Sequence, residues 1–243
     1  MPTLYVIAGP NGIGKTTSSY DFVPKNTPVI NSDEIAKEAR IAGLLSVNAQ
    51  EYSNREAMRL MEEQREKRSS FAIETNLADL ETWKFLLEMQ KTGYKLYINY
   101  VSTDDIDMLN NRILERYKLG EHFVRPEIVR ERYINGLKLL NHYFDRPDTL
   151  ELFDNSKQMI RLAQVNQGQI IKIAEHLPNW VTQYLGQHFQ EQIQQQTKIR
   201  DLGNIDEVRK SYEELKNKTD QLKKTISPED PESKNVQKHK RKL

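Results

Sequence analysis

Residues 3–17 read Thr3-Leu4-Tyr5-Val6-Ile7-Ala8-Gly9-Pro10-Asn11-Gly12-Ile13-Gly14-Lys15-Thr16-Thr17, an apolar run that breaks into a glycine-rich turn. Thr3–Ala8 has the composition of a buried strand. Behind it, Gly9 to Thr16 fits the G-x-x-x-x-G-K-[ST] pattern at every fixed position. The residue types follow from the task of such a loop. Phosphate oxygens are met by a ring of backbone N–H groups that side chains would obstruct, and glycine supplies the positive φ angles that curl the chain. A helix opening near Lys15 turns its positive dipole end toward the same point. Gly9, Pro10, Asn11, Gly12, Ile13, Gly14, Lys15, Thr16 and Thr17 are therefore the expected nucleotide-binding set. Lys15 would neutralise the β- and γ-phosphates, Thr16 would ligate Mg²⁺, and Thr17 would contact the α-phosphate. Average residue usage produces this pattern by accident in about one chain in a hundred of this size. A strand before it and a helix after it make accident rarer still.

Outward from the loop, short apolar runs alternate with amphipathic stretches, the pattern of βα units around a parallel sheet. Further strands are expected at Thr27–Asn31, Ser70–Ile73, Lys95–Val101 and Leu150–Phe153. Leu80, Trp83 and Leu87 fall at helical spacing, as do Ile106, Leu109, Ile113 and Tyr117 behind Thr103, a suitable N-cap. Pro126 opens another helix carrying Ile128, Tyr133, Leu137 and Leu140. Met159–Val165 and Gln169–Ile173 read as a hairpin turning at Gly168, and a helix over Trp180–Phe189 closes the core. The expected fold is α/β: a P-loop NTPase with three α/β/α layers, a mostly parallel five-stranded sheet and a kinase-like lid. Residues 1–189 form the domain, 190–225 a charged helical extension with a thin stripe of Val208, Tyr212, Leu215 and Leu222, and 226–243 a disordered basic tail.

Bulk composition removes other classes. The chain has 243 residues, 37 % hydrophobic and 29 % charged, with a formal net charge of +1 that gives no global pull toward nucleic acid or a membrane. It contains no cysteine, which excludes disulfides and thiolate metal sites. No run approaches the ~20 apolar residues of a membrane span. Leu4–Ala8 lacks the basic start of a secretory signal, so the cytoplasm is the expected compartment. Asn217-Lys218-Thr219-Asp220 matches a guanine-reading pattern but lies in a charged amphipathic stretch, where chance explains it.

A phosphate loop serves switches, motors and transporters as well as transferases, so other residues must separate them. Asp33 follows the second strand, where carboxyl-end positions line the ligand crevice. A carboxylate there suits a general base for an attacking hydroxyl; capping the following helix is the competing role. Glu74 ends the third strand and would point at the metal and the acceptor. Arg112, Arg116 and Arg125 bracket Lys118–Val124, a short glycine-bearing loop between two helices, as in a lid whose arginines stabilise the transferring group. Arg112 reads better as a solvated helix residue.

Together Ala8–Thr17, Asn31-Ser32-Asp33, Phe71–Leu77, Glu115-Arg116-Tyr117, Arg125-Pro126-Glu127 and Phe153–Ser156 resemble the zeta toxin family of P-loop kinases, from about Thr3 to Ala174. That family's toxins move a phosphate from ATP to the 3′-hydroxyl of UDP-N-acetylglucosamine. Carried over by position, the resemblance implies Asp33 as catalytic base, Lys15 on the phosphates, and Arg116 and Arg125 on the transferred group. Glu74, with Thr75 and Asn76 beside it, would bind the substrate. ATP and Mg²⁺ are the implied cofactors. A small-molecule acceptor such as a sugar nucleotide and an antitoxin or regulatory protein are the implied partners, with nucleic acid and membrane not expected. Asn76 stands where many members have threonine, and Asn31 where an aspartate is frequent, which leaves the acceptor open. Glu56 is a further acidic candidate near it. Phosphorylation of another small molecule or a nucleic-acid end, or a non-catalytic nucleotide-dependent binding module, are the alternatives.

Overall fold

A computed structural model describes residues 1–119 and 123–190, and beyond them 194, 205, 207–218 and 221. The elements are β1 (Thr3–Ala8), α1 (Lys15–Ser18), β2 (Val29–Ile30), α2 (Ser32–Ile41), α3 (Ser46–Glu66), β3 (Phe71–Thr75) and α4 (Leu80–Lys91). There follow β4 (Lys95–Ser102), α5 (Ile106–Lys118), α6 (Pro126–His142), β5 (Thr149–Asp154), β6 (Ile160–Asn166), β7 (Gln169–Ile173) and α7 (Asn179–Tyr184). One sheet holds all the strands in the order β2-β3-β1-β4-β5-β6-β7. The first five run parallel. The hairpin β6–β7 extends them in antiparallel sense, taking the sheet from the expected five strands to seven. Its turn, Gln167-Gly168, has positive φ at both residues (47° and 78°), the geometry that matches the twist of a two-residue hairpin.

The inner strands β1 and β4 are buried on both faces because helices cover them. Leu4, Val6 and Ile7 of β1 and Leu96, Ile98 and Tyr100 of β4 are fully or almost fully buried. Trp83 and Leu86 of α4, Leu109 and Ile113 of α5, and Tyr133, Leu137 and Leu140 of α6 supply the apolar helix faces. In α3, by contrast, the buried positions are Ala49, Ser53 and Ala57, spaced by four, while its acids and bases pair along the exposed side. Small residues on α3 face the equally small buried Ala36 and Ala39 of α2, letting the two helices pack together.

Two local expectations change. Thr103 does not cap α5: Asp105 does, accepting the Met108 N–H at 2.8 Å, while the Thr103 hydroxyl accepts from the Asp105 N–H. The closing helix is shorter than expected, and α7 gives way to a single 3-10 turn at Gly186–His188. Asp104 fixes its start by accepting the N–H groups of Asn179 and Trp180.

The chain divides into two units, Met1–Phe189 and Gln190–Leu243. In the second, residues 207–218 are helical and expose Val208, Tyr212 and Leu215. The remainder of the expected extension, apart from residues 194, 205 and 221, lies outside the described residues, as do the basic tail and Gly120, Glu121 and His122 of the lid. Among the described residues, no helix is long and apolar enough to cross a membrane.

Candidate active site

The loop after β1 has the curl its glycines predict, with φ of 141° at Gly9, 80° at Gly12 and 99° at Gly14. Gly9 must be glycine for a second reason: a Cβ there would lie 2.1 Å from the Val101 carbonyl oxygen of β4. Ile13 is fully buried and Pro10 offers its carbonyl to the Ile13 N–H, so these two build the loop rather than present side chains to a ligand. Asn155, just past β5, donates its amide N–H to the Ile13 carbonyl at 2.8 Å and braces the loop from below.

Lys15 is 8 % exposed, and its Nζ donates to the Gly9 and Pro10 carbonyls (2.9 and 3.1 Å) and to Asn76 Oδ1 (3.3 Å). Burial lowers its pKa; Glu74 and Asp33 act against that through their negative charge, while Arg116 and Arg132 reinforce it. The ammonium group is therefore held among weak acceptors, at a point where a phosphate would stabilise it strongly.

Parallel pairing sets Glu74 beside Ile7, two residues before Gly9 opens the loop. Its carboxylate accepts from the Thr16 hydroxyl (3.0 Å), the Ser19 hydroxyl (3.3 Å) and the Asn31 amide (2.9 Å). Burial raises its pKa above the ordinary 4.5, opposed by the Lys15 charge and by the hydrogen bonds from Thr16 and Ser19. Thr75 Oγ1 accepts the Leu77 N–H and shapes the turn that presents Asn76.

At the head of α2, Asn31 is the cap, its Oδ1 accepting the N–H groups of Asp33 (2.9 Å) and Glu34 (3.4 Å). Asp33 is thereby relieved of the capping role and stands in the first turn with its side chain exposed to the cleft. Two clefts meet at Lys15, Thr16, Glu74 and Arg116. The wider, of about 660 Å³, runs over Gly14, Thr17 and Ser18 beneath Arg112 and Met159. The narrower runs past Asn11 and Asp33 along α2.

The arginines rearrange the expectation. Arg116 lines both clefts and Arg112 lines the wider one. Arg125 is exposed at the start of α6 and is not among the residues lining either cleft. Arg132, two turns further along α6, reaches the loop instead and donates to Asn11 Oδ1 at 3.1 Å. Sequence alone does not single it out, because α6 also carries Arg130. The available signal was its place, three residues after Val129 and four before Gly136, at the edge of the buried face. Glu56 pairs with Arg59 on α3 and does not line the cleft.

No family model matches the sequence. A curated protein described as uncharacterized, from Haemophilus influenzae, is 27 % identical over 127 residues, 51 % of this chain and 88 % of that one. Among solved structures, the AvrRxo1-ORF1:-ORF2 complex with ATP aligns with a TM-score of 0.59 at 16 % identity, over 71 % of this chain and 60 % of that one. The toxin–antitoxin system PezAT of Streptococcus pneumoniae aligns with a TM-score of 0.51 at 15 % identity, over 66 % of this chain and 71 % of that one. At such identities the likeness is one of fold. The three-layer architecture, strand order and loop make this an α/β fold of the P-loop type.

Proposed function

We propose that the chain is an ATP-dependent kinase that phosphorylates a hydroxyl group of a small molecule, with a sugar nucleotide as the leading acceptor class and UDP-N-acetylglucosamine as candidate. The observation that carries the reading is the single cleft shared by Lys15 and Asp33, with the Glu74–Thr16 pair between loop and acid. A carboxylate across from the phosphate cradle serves an attacking alcohol, which a switch or motor does not need. The ATP-bound AvrRxo1 complex supports ATP as donor, and PezAT supports an antitoxin as a possible class of partner.

In this reading ATP occupies the wider cleft, its triphosphate in the amide ring and its charge met by Lys15. The Thr16 hydroxyl and Glu74 carboxylate are hard oxygen donors of the kind Mg²⁺ takes alongside phosphate and water. Among the described residues no group of three acidic or histidine side chains competes as a metal site. The metal, when bound, would neutralise charge on the β- and γ-oxygens. The acceptor hydroxyl lies in the narrower cleft and gives its proton to Asp33. Its oxygen forms a bond to the γ-phosphorus as the bond from that phosphorus to the bridging β–γ oxygen breaks, and ADP leaves. Arg116, which lines both clefts, holds the charge that spreads over the transferring group, and Arg132 adds positive charge at Asn11 of the loop.

The test is incubation with γ-labelled ATP and a panel of sugar nucleotides, nucleosides and oligonucleotides, followed by chromatography. Label is expected in an alcohol of the panel. Asp33→Asn is expected to lower kcat by roughly 10²–10⁴-fold with ATP affinity nearly intact. Wild type that labels nothing and a mutant that behaves like it would leave only nucleotide binding.

A further inference from the structure

In the second unit, Ile205 and residues 207–218 are helical, and every described residue is exposed. Its apolar side chains share that exposure: Ile205 57 %, Val208 69 %, Tyr212 68 % and Leu215 65 %. The steps between them are 3, 4 and 3 residues, and in the sequence Thr219 and Leu222 follow at 4 and 3. That alternation is the heptad spacing of a coiled-coil seam, with Ile205, Tyr212 and Thr219 at a and Val208, Leu215 and Leu222 at d. A helix this short is marginal in water by itself. Covering the seam would supply the apolar burial it lacks.

The positions flanking the seam say what kind of surface would cover it. Positions e and g hold Arg209, Lys216, Lys218 and Lys223, with Asn204, Ser211 and Thr225 as the uncharged remainder. Every charged side chain beside the seam is therefore a cation. The acids Asp206, Glu207, Glu213, Glu214 and Asp220 all fall at b and c, farther from the seam. Charges at e and g set partner choice in coiled coils. A second copy of this helix offers no acid to these cations. A parallel pair sets g against the following e, bringing Lys218 to Lys223, and an antiparallel pair sets e against e, where the charged residues are Arg209, Lys216 and Lys223.

We propose that the seam from Ile205 to Leu222 docks an amphipathic helix of another protein, one with apolar residues at heptad spacing and Asp or Glu at the positions flanking them. The apolar contacts would provide the affinity, and the cations would select an acidic helix over a basic one or a second copy. This goes beyond the phosphotransfer chemistry, whose residues all lie in the first unit.

The experiment titrates the full chain into a fluorescein-labelled peptide of about three heptads, with Ile at a, Leu at d and Glu at e and g, and follows anisotropy. One companion peptide carries Lys at e and g; another keeps the Glu positions and has Ser at a and d. Wild type is expected to bind the acidic peptide at least about tenfold more tightly than either companion, and less tightly as salt is raised. Val208→Gln combined with Tyr212→Gln should weaken that binding at least about tenfold. Arg209→Glu, Lys216→Glu and Lys218→Glu together should reverse the preference toward the lysine peptide. Tm should stay unchanged in all these variants, because the side chains altered are exposed. Equal binding of the acidic and lysine peptides, or binding that survives the Val208 and Tyr212 changes, overturns the proposal. So does a serine peptide held as tightly as the acidic one, which would reduce the attraction to charge alone. A dimer of the full chain in sedimentation that the Val208 and Tyr212 changes dissociate would give the seam to a second copy. No peptide binding, with a Tm lowered by the same changes, would give it to the chain's own first unit. Either result ends the proposal and leaves the kinase reading untouched.

Discussion

Glu74 shows how one residue links the fold to its chemistry. As the fourth residue of a parallel strand beside β1, it has no freedom to leave the mouth of the loop, and its carboxylate is largely withdrawn from water. Burial raises its pKa more than Lys15, Thr16 and Ser19 lower it. A group whose folded pKa lies above its unfolded value favours the native state when protonated, so this carboxylate costs stability once pH exceeds the raised pKa. A divalent cation needs the ionised form. Binding Mg²⁺ with a nucleotide should therefore release a proton, and affinity should climb with pH up to a value above the ordinary glutamate range, then level off. Calorimetry in buffers of different ionisation enthalpy, from pH 5 to 8, measures both effects. Glu74→Gln is expected to flatten the profile and weaken metal-dependent binding, while metal-free nucleotide binding changes little. An unchanged profile in that variant would remove Glu74 from the metal's surroundings.

Elements hold these residues by close approach, and the loop after β1 is the most demanding case. Gly9 touches the backbone of β4, and a methyl group there meets a carbonyl oxygen and carbon of Val101 (2.1 and 3.1 Å) rather than a side chain that could swing away. Gly9→Ala should therefore push the loop off the sheet, lowering Tm and reducing nucleotide affinity at least tenfold; backbone strain of this kind costs about 1–3 kcal/mol before any loss of binding. Gly186→Ala, with nothing within 4 Å and an ordinary φ, should be nearly silent in the same melting and binding assays. Such contacts also explain how much was legible beforehand. The β1–loop–α1 segment announces itself because an apolar run, a fixed glycine spacing and a lysine all fall within fifteen residues. The places of Asp33, just past β2, and of Glu74, near the end of β3, follow from the same βα logic. Helix α3 does not announce itself, since its buried face is alanine and serine and its outer face a ladder of ion pairs, leaving little apolar periodicity to read. The union of the hairpin with the parallel sheet depends on long-range register, which no local pattern encodes. Choosing Arg132 over Arg125 depends on the rotation of α6 about its own axis against the loop, fixed only when Gly136 packs near the Tyr100 hydroxyl and the Asn76 carbonyl.

At the scale of the whole chain, stability and length part company at Phe189. Among the described residues, every buried apolar side chain lies at or before that position. The last of them close the first unit: Trp180 lies near Tyr100 and donates its ring N–H to Asp154, while Phe189 meets the edge of Phe144, on which His188 also stacks. Core burial is the main source of folding free energy, so a chain ending after Phe189 should melt within a few degrees of the full protein, with the same cooperativity. Ending it before Trp180 removes two large aromatic anchors together with Val181 and Leu185. Deleting one buried tryptophan or phenylalanine side chain costs about 3–5 kcal/mol, and a domain of this kind has only about 5–15 kcal/mol to lose. The shorter truncation is therefore expected not to fold cooperatively. Label transfer by the 1–189 form adds a second reading, because Lys15, Asp33, Glu74, Arg116 and Arg132 all belong to that unit. Retained transfer assigns residues 190–243 a role outside the chemistry, whereas loss of transfer with an unchanged Tm would mean that the second unit contributes directly to substrate or nucleotide binding.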